Sequence, residues 1–230
     1  DEFEYLLNVR RSGIDGWALW LLGASEKIVS LLRNFQSAGH ALVLVDRYAR
    51  GLDSDFVVTK NEEMACELTR ELIRRGHREI GMISFPLDCT VNEDRLAGYR
   101  RALEEAGIPF EEGLVVTDRL QGLEPLRMQM LGLLGRRQRP TAVFCASDHH
   151  ASWLVKELRR LDYAIPEDIQ LAVVDEDRFV EQADFPVIAA VQRSYEMGKL
   201  AAEVLERRIE NPEQPWQQHF MDFDLDLPTA

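Results

Sequence analysis

A chain of 230 residues with 46% hydrophobic and 29% charged residues has enough apolar material to bury a sizeable core. Its 27 basic and 40 acidic residues give a formal net charge of −13 at pH 7, which argues against direct binding of this segment to nucleic acid or to an anionic membrane surface. It has no run of 18 apolar residues that would predict a membrane-spanning helix, and its first five residues, 1–5, do not form a signal peptide.

Apolar runs alternate with helical stripes along almost the whole chain. In chain order, strands are predicted at residues 16–22, 41–46, 56–58, 80–85, 114–116, 141–148, 169–175, 187–191 and 218–227. Helices are predicted at residues 3–9, 26–38, 62–75, 92–106, 125–134, 151–161 and 194–209. This alternation predicts an α/β fold in which right-handed crossovers connect parallel strands.

Three of the predicted strands are apolar runs that end in an aspartate, at Asp46, Asp148 and Asp175. Runs that are apolar on both faces are typical of parallel sheets covered by helices. Because ligands of open α/β sheets bind outside the carboxyl ends of the strands, these carboxylates are candidates for holding a polar ligand. Asp148 has an alternative interpretation as the N-cap of the helix that is predicted from Ala151.

The three cysteines are widely spaced and form no Cys-x-x-Cys motif. Cys145 lies in an apolar strand and Cys66 in a helical pattern, which predicts that both are buried and reduced. An odd number of cysteines without a disulfide pattern favours a reducing compartment, and we expect the protein to be cytoplasmic.

A series of short motifs follows in a characteristic order from about residue 5 to the end of the chain. The series comprises Val45-Asp-Arg47, Val57–Asn61, Leu72–Gly81, Arg95–Leu103, Ser147-Asp148, Ile165–Ile169, Asp175-Glu176 and Val191–Gly198. In this order and spacing, the motifs resemble the effector-binding domain of LacI/GalR-type bacterial transcription regulators. Gly-His-Arg at 76–78 means little alone, and the ordered set carries the resemblance.

The resemblance implies a periplasmic-binding-protein-like type I fold. Two α/β lobes with parallel sheets are then joined by three crossover strands, with the ligand in the cleft between the lobes. The crossovers are expected near Thr59, near Gln192–Tyr195 and near Gln217–Phe220, so that the N-terminal lobe comprises 1–59 plus 193–217 and the C-terminal lobe 60–192 plus 218–230. The family's first strand and helix, and the helix-turn-helix domain ahead of them, are expected before Asp1 and are missing from this chain.

The resemblance also implies a set of ligand-binding residues. They are Asp46, Arg95, Ser147, Asp175, Arg193 and Tyr195. Carboxylates accept hydrogen bonds from neighbouring sugar hydroxyls and a guanidinium donates in a fork, so the set suits a carbohydrate.

Four of these residues have a structural alternative. Asp46 could pair with Arg47 or cap a turn, Arg95 could lie on a helix surface, Asp175 could be a turn residue, and Tyr195 could pack in the core. Lys60 and Arg47 could favour an anionic ligand, although solvated charges are the simpler interpretation.

The predicted function is effector sensing by a dimeric transcription regulator, in which closure of the lobes changes DNA affinity. The expected partners are a small-molecule effector such as a sugar, a second copy of the chain, and operator DNA bound through the missing N-terminal domain; no membrane partner is expected. A periplasmic sugar receptor for transport or chemotaxis is the alternative. We predict no catalysis and no cofactor, because no nucleophile elbow occurs and Asp148-His-His150 does not place three metal ligands on one face.

Overall fold

The computed structural model describes residues 2–9, 13–85, 89–117, 123–175 and 179–228. The chain divides into two compact units. The first comprises Asp1–Lys60, Asp88–Val91 and Arg193–Asp222, and the second comprises Asn61–Leu87, Asn92–Gln192 and Phe223–Ala230. Each unit contains a mainly parallel sheet with helices packed on it, so the predicted α/β class is confirmed.

Eight helices and ten strands lie in the described part of the chain. The helices are α1 (Glu2–Val9), α2 (Glu26–Ser37), α3 (Asn61–Arg74), α4 (Thr90–Glu105), α5 (Leu123–Leu134), α6 (Asp148–Arg160), α7 (Phe179–Gln182) and α8 (Ser194–Glu210). The strands are β1 (Gly16–Leu19), β2 (Ala41–Val45), β3 (Asp55–Thr59), β4 (Ile80–Ser84), β5 (Val115–Thr117), β6 (Ala142–Cys145), β7 (Gln170–Asp175), β8 (Ile188–Gln192), β9 (Gln218–Met221) and β10 (Phe223–Asp226). A single 3₁₀ turn, Glu112–Leu114, precedes β5.

The sheet of the first unit has the strand order β1-β2-β3-β9, and all of its strands are parallel. Helix α2 covers one face because Ile28, Leu32 and Phe35 recur at helical spacing and are buried. The hydroxyl of Ser25 accepts a hydrogen bond from the Ile28 amide and so caps this helix. On the other face, α8 packs against β2 and β3. The parallel arrangement brings the carboxyl ends of all four strands to one edge.

The sheet of the second unit has the order β10-β8-β7-β6-β4-β5. Its neighbouring strands are parallel except for β10, which runs antiparallel to β8. Strands β4, β6 and β7 are buried along their whole length, as expected of strands covered on both faces. The carboxyl ends of β4, β6, β7 and β8 therefore share one edge of this sheet.

Helices α3 and α4 approach each other closely in the second unit. A Cβ atom on Gly98 would lie 2.1 Å from the Glu62 carbonyl oxygen, so only glycine fits at this crossing. The buried hydroxyl of the next residue, Tyr99, donates to the Ile80 carbonyl at 2.7 Å and ties α4 to the start of β4. Burial raises the pKa of Tyr99 well above its ordinary value.

The structure differs from the predicted elements in several places, and the strand predicted at residues 16–22 ends at Leu19 as β1. The single strand predicted at 218–227 is two strands, because β9 pairs with β3 in one sheet and β10 pairs with β8 in the other. Helix α6 begins at Asp148 rather than at Ala151, which shortens the preceding strand. Helix α7 was not predicted, since its four residues are too few to show a period.

The predicted lobes also differ from the two units at their bounds. Residues 218–222, expected in the C-terminal lobe, belong to the first unit because β9 pairs with β3. The segment around Thr90 belongs there as well, because its hydroxyl donates to the Tyr48 carbonyl and accepts from the Tyr48 amide. Among the helices that the structure describes, none is long and apolar enough to cross a bilayer.

Candidate functional site

Polar and aromatic side chains follow all four strands of the first unit at the carboxyl edge of its sheet. Trp20 comes directly after β1, Asp46 after β2, Lys60 after β3 and Asp222 after β9. The parallel register, in which Leu19 is paired with Leu44, places the first two of these positions on neighbouring strands. The edge is therefore a polar surface bounded by an aromatic side chain. Such a surface is expected of a ligand site, because ligands of open α/β sheets bind outside the carboxyl ends of the strands.

Asp46 is held at this edge by hydrogen bonds of its backbone and of its side chain. Its backbone has φ of +67°, a left-handed conformation that is uncommon for residues other than glycine, and its amide donates to the Val57 carbonyl at 2.9 Å. Its carboxylate oxygen Oδ2 accepts from the indole Nε1 of Trp20 at 2.9 Å and from Arg47 Nε at 3.2 Å. The pairing with Arg47 that the sequence left open is thus present, and the carboxylate is oriented by two neighbours.

Lys60 and Asp222 form an ion pair at the same edge, with 2.5 Å between Lys60 Nζ and Asp222 Oδ1. The hydrogen bond from Lys60, together with the charges of Lys60 and Arg193, lowers the pKa of Asp222. Because the charges of Lys60 and Arg47 both have a carboxylate partner within the unit, neither one favours an anionic ligand by itself.

Arg95 lies on α4 and is buried, with only 3% of its surface exposed. Its Nε donates to Asn61 Oδ1 at 2.8 Å and its Nη1 donates to the Ala146 carbonyl at 2.5 Å. The alternative of a surface helix residue is therefore wrong. The guanidinium thus contacts the carboxyl end of β6 next to Ser147, so two of the predicted ligand-binding residues lie close together.

Ser147, and not Asp148, is the N-cap of α6. The buried Ser147 hydroxyl accepts from the His150 amide at 3.4 Å and lies 3.0 Å from the ring nitrogen Nδ1 of His150. Asp148 is the first helical residue, and its carboxylate accepts a hydrogen bond from the adjacent His149 amide. The prediction of Asp148 as the cap is wrong because the chain enters the helix one residue earlier, so the serine hydroxyl is positioned to bond to the third helical residue.

The imidazole of His150 is buried between Ser147 and the ring of Phe85. Burial, with smaller contributions from the charges of His149 and Arg95, lowers the pKa of His150 to about 3. The imidazole is consequently neutral near pH 7 and acts as a packing and hydrogen-bonding group.

Asp175 ends β7 and is also buried. Its Oδ1 accepts from the Phe179 amide at 3.0 Å and its Oδ2 from the Val180 amide at 3.1 Å. The side chain thus anchors the start of α7. Because β6 and β7 are neighbours with Cys145 paired to Val173, Asp175 lies at the same sheet edge as Ser147.

Arg193 and Tyr195 lie at the start of α8, directly after β8. Tyr195 is 81% exposed, so the alternative of core packing is wrong for this residue. The phenol is available for contact with a ligand or with another part of the protein.

The six predicted ligand-binding residues are divided equally between the units. Asp46, Arg193 and Tyr195 belong to the first, and Arg95, Ser147 and Asp175 belong to the second. Sequence reasoning missed Trp20 and Asn61. Trp20 was predicted inside the strand at residues 16–22, and only the end of β1 at Leu19 places it directly after a strand, as Asp46 follows β2.

The described residues contain no group of three or more histidine, cysteine, aspartate or glutamate side chains that could hold a metal ion. A surface groove of about 530 Å³ lies between the ends of α5 and α6, lined by Leu134, Arg139, Tyr163 and others. It includes none of the six predicted residues, and its arginine already contacts Tyr163 and Asp168.

Comparison with known proteins places the chain in a family. Residues 69–225 match the model of the periplasmic binding protein-like domain. The chain is 32% identical over 176 residues to the ribose operon repressor of Haemophilus influenzae, with 76% of this chain and 53% of that protein covered. It is 28% identical over 208 residues to the HTH-type transcriptional repressor PurR of Vibrio atlanticus, with coverage of 90% and 61%.

Solved structures agree with these matches. The transcriptional regulator CelR in complex with cellobiose superposes with a TM-score of 0.87 at 27% identity, over 98% of this chain and 69% of that one. The chain spans between half and two thirds of the length of the two curated relatives. The resemblance to LacI/GalR-type regulators is confirmed, and the chain belongs to the periplasmic binding protein-like domain family.

Proposed function

We propose that this chain is the effector-sensing part of a bacterial transcription regulator and that its effector is a sugar or a sugar-like molecule. The observation that carries the proposal is the pair of fixed charged groups at the two sheet edges, the carboxylate of Asp46 and the guanidinium of Arg95. Both are oriented by neighbouring protein groups before any ligand binds, which lowers the entropic cost of binding.

The chemistry of these groups fits a polyhydroxylated ligand. A carboxylate accepts hydrogen bonds from hydroxyl groups, and a guanidinium donates to hydroxyl or ring oxygens. The relatives support the same ligand class, because one of them is named for the ribose operon and a similar structure was solved with cellobiose. These two sugars are therefore the first probes for this chain.

The remaining parts of the proposal concern the whole protein. DNA binding is assigned to a further domain, as the names of the HTH-type relatives suggest, and a homodimer would transmit the effector signal. The proposal includes no catalytic step. Three buried free cysteines agree with a reducing, cytoplasmic environment better than with the periplasm of the alternative receptor function.

The effector site can be tested by titration calorimetry with cellobiose, D-ribose, D-glucose and D-galactose. Asp46→Asn preserves the shape of the side chain but removes its charge, and loss of a charge-assisted hydrogen bond of about 1.5–3 kcal/mol should weaken binding about tenfold or more. Arg95→Lys should weaken binding as well, because the lysine ammonium group cannot reproduce the bidentate hydrogen bonding of a guanidinium.

The matched control is Asp53→Asn, which changes an exposed carboxylate of the same unit away from the sheet edge. The control should bind like the unchanged chain. If Asp46→Asn and Arg95→Lys bind the same sugar with unchanged affinity, the site assignment fails; if none of the four sugars binds, the proposed ligand class fails.

A further inference from the structure

Trp20 is an exposed aromatic residue at the point where Asp46 is held. Its side chain follows β1 directly and the residue is 55% exposed, although tryptophan is buried to a large extent in most proteins. Its indole N–H donates to Asp46 Oδ2, and the guanidinium of Arg47 lies over its ring at 4.1 Å from the ring centroid. The indole is thus fixed in position while much of its surface remains open to solvent.

The hydrogen bonds to Asp46 are all made to one oxygen atom. Trp20 Nε1, Arg47 Nε and Arg47 Nη2 lie 2.9, 3.2 and 3.1 Å from Oδ2. Among the residues that the structure describes, none donates a hydrogen bond to Oδ1. The carboxylate therefore leaves Oδ1 as the oxygen that can accept a hydrogen bond from a ligand. With one oxygen it accepts from fewer ligand hydroxyls than the neighbouring hydroxyls that the sequence suggested.

The open surface of Trp20 is apolar and adjoins this oxygen. The only polar group of the indole is used by Asp46, and the ring face keeps the negative π density that attracts C–H groups with partial positive charge. A pyranose ring has such C–H groups on its flat side and hydroxyl groups around its rim. The geometry points to Trp20 as a stacking platform for a sugar ring, one hydroxyl of which donates to Asp46 Oδ1; this inference rests on the proposed function.

The local charges further restrict the ligand. Arg47 neutralises Asp46 from the side of Oδ2 and is held there by the carboxylate and by the indole ring. An anionic sugar would bring a second negative charge towards Oδ1, the oxygen without a cationic partner among the described residues. A neutral ring is therefore preferred over its uronic acid counterpart.

The platform is tested by calorimetry with cellobiose, D-ribose, D-glucose, D-galactose and D-glucuronate on the full chain. With the neutral probe that binds best, Trp20→Leu should weaken binding about tenfold because the π face is lost. Trp20→Phe should weaken it only a few-fold, because phenylalanine keeps an aromatic face and loses only the N–H. D-Glucuronate should bind more weakly than D-glucose.

The matched control is Trp216→Phe. Trp216 belongs to the same unit, is 42% exposed and also lies against an arginine, Arg208, but it precedes β9 and so lies away from the carboxyl edge. This variant should keep the original affinity. Circular dichroism of each variant checks that it folds.

A second measurement does not depend on Trp20→Leu being folded. Acrylamide quenching of tryptophan fluorescence in the unchanged protein should fall when the best-binding sugar saturates the site, and this protection should disappear in Trp20→Phe. Unchanged affinity in Trp20→Leu, or unchanged quenching on binding, overturns the platform. If Asp46→Asn loses binding while Trp20→Leu does not, the proposed function stands without the platform; if no probe binds, both are overturned.

Discussion

The buried imidazole of His150 makes the stability of the protein depend on pH below neutrality. Its pKa is about 3 in the folded chain against an ordinary value of 6.5, so between these values the unfolded chain binds a proton that the folded chain does not. Acidification through this window therefore favours unfolding. At pH 5, about 1.5 units below the ordinary value, the loss of stability relative to pH 7.5 is about 2 kcal/mol, since each unit contributes about 1.36 kcal/mol.

This prediction can be checked by urea unfolding of the unchanged chain and of His150→Asn at pH 7.5 and pH 5.0. Asparagine offers its amide oxygen to the Ser147 hydroxyl and has no proton to gain. The unchanged chain should lose about 2 kcal/mol more than the variant on acidification. The pKa values of Glu71 and Asp222 are also lowered in the folded chain, so protonation of these carboxylates removes stability on acidification. That loss occurs below their ordinary pKa values of 4.5 and 3.8, and therefore below the range from pH 7.5 to pH 5.0 that is compared here.

His149→Asn is the control for this experiment, because His149 is the exposed neighbour of His150. It should retain the pH dependence of the unchanged chain. An NMR titration of the histidine rings gives a direct measurement, in which the His150 signal should not titrate between pH 8 and pH 5. Equal pH dependence in His150→Asn and the unchanged chain, or a His150 midpoint near 6.5, would refute the reasoning.

Two further predictions concern stability and can be measured by urea unfolding at pH 7.5. The fully buried carboxylate of Asp55 is paired with Arg208 at 2.7 and 3.0 Å. Arg208→Met should destabilise the protein by about 3–5 kcal/mol, because it leaves this carboxylate as an uncompensated buried charge. A loss of less than about 1 kcal/mol would contradict this prediction. Gly98→Ala should cost about 1–3 kcal/mol because its methyl group would overlap the Glu62 carbonyl. Gly132→Ala, a helical position with no atom within 4 Å of the added methyl group, should instead be neutral or stabilising by up to about 1 kcal/mol, and equal effects of the two alanines would contradict the packing argument.

Most of the secondary structure could be predicted because its signals are local. The apolar run at Ala41–Val45 and the stripe of α3 both form the predicted elements, and Gly39 and Gly76 end helices with φ of +84° and +99°. The predictions were wrong where one local sequence pattern is compatible with two different structures. Residues 218–227 alternate like one strand, but whether Asp222 continues or interrupts that strand depends on which sheet each half joins.

In the candidate site, too, some properties could be predicted from local sequence and others depend on tertiary contacts. Asp46 could be identified from its place after a strand, but its left-handed backbone and its two side-chain partners could not. Arg95 could be named only by resemblance, since its burial depends on Asn61 and Ala146, which are distant in sequence. Ser147 and Asp148 differ by one position, and only the path of the chain into α6 decided which hydrogen bond forms.

The sequence by itself determined the α/β class, the order of the elements, the family and the positions of Asp46 and Asp175 at strand ends. These properties follow from hydrophobic period, turn residues and the order of short motifs, which are all read along the chain. Tertiary structure alone decided which oxygen of Asp46 is occupied, that Trp20 is exposed beside it, and that the guanidinium of Arg95 is buried. The physical reason is that solvent exposure and hydrogen-bond partners depend on contacts between residues far apart in sequence, and sheet pairing and helix packing create those contacts.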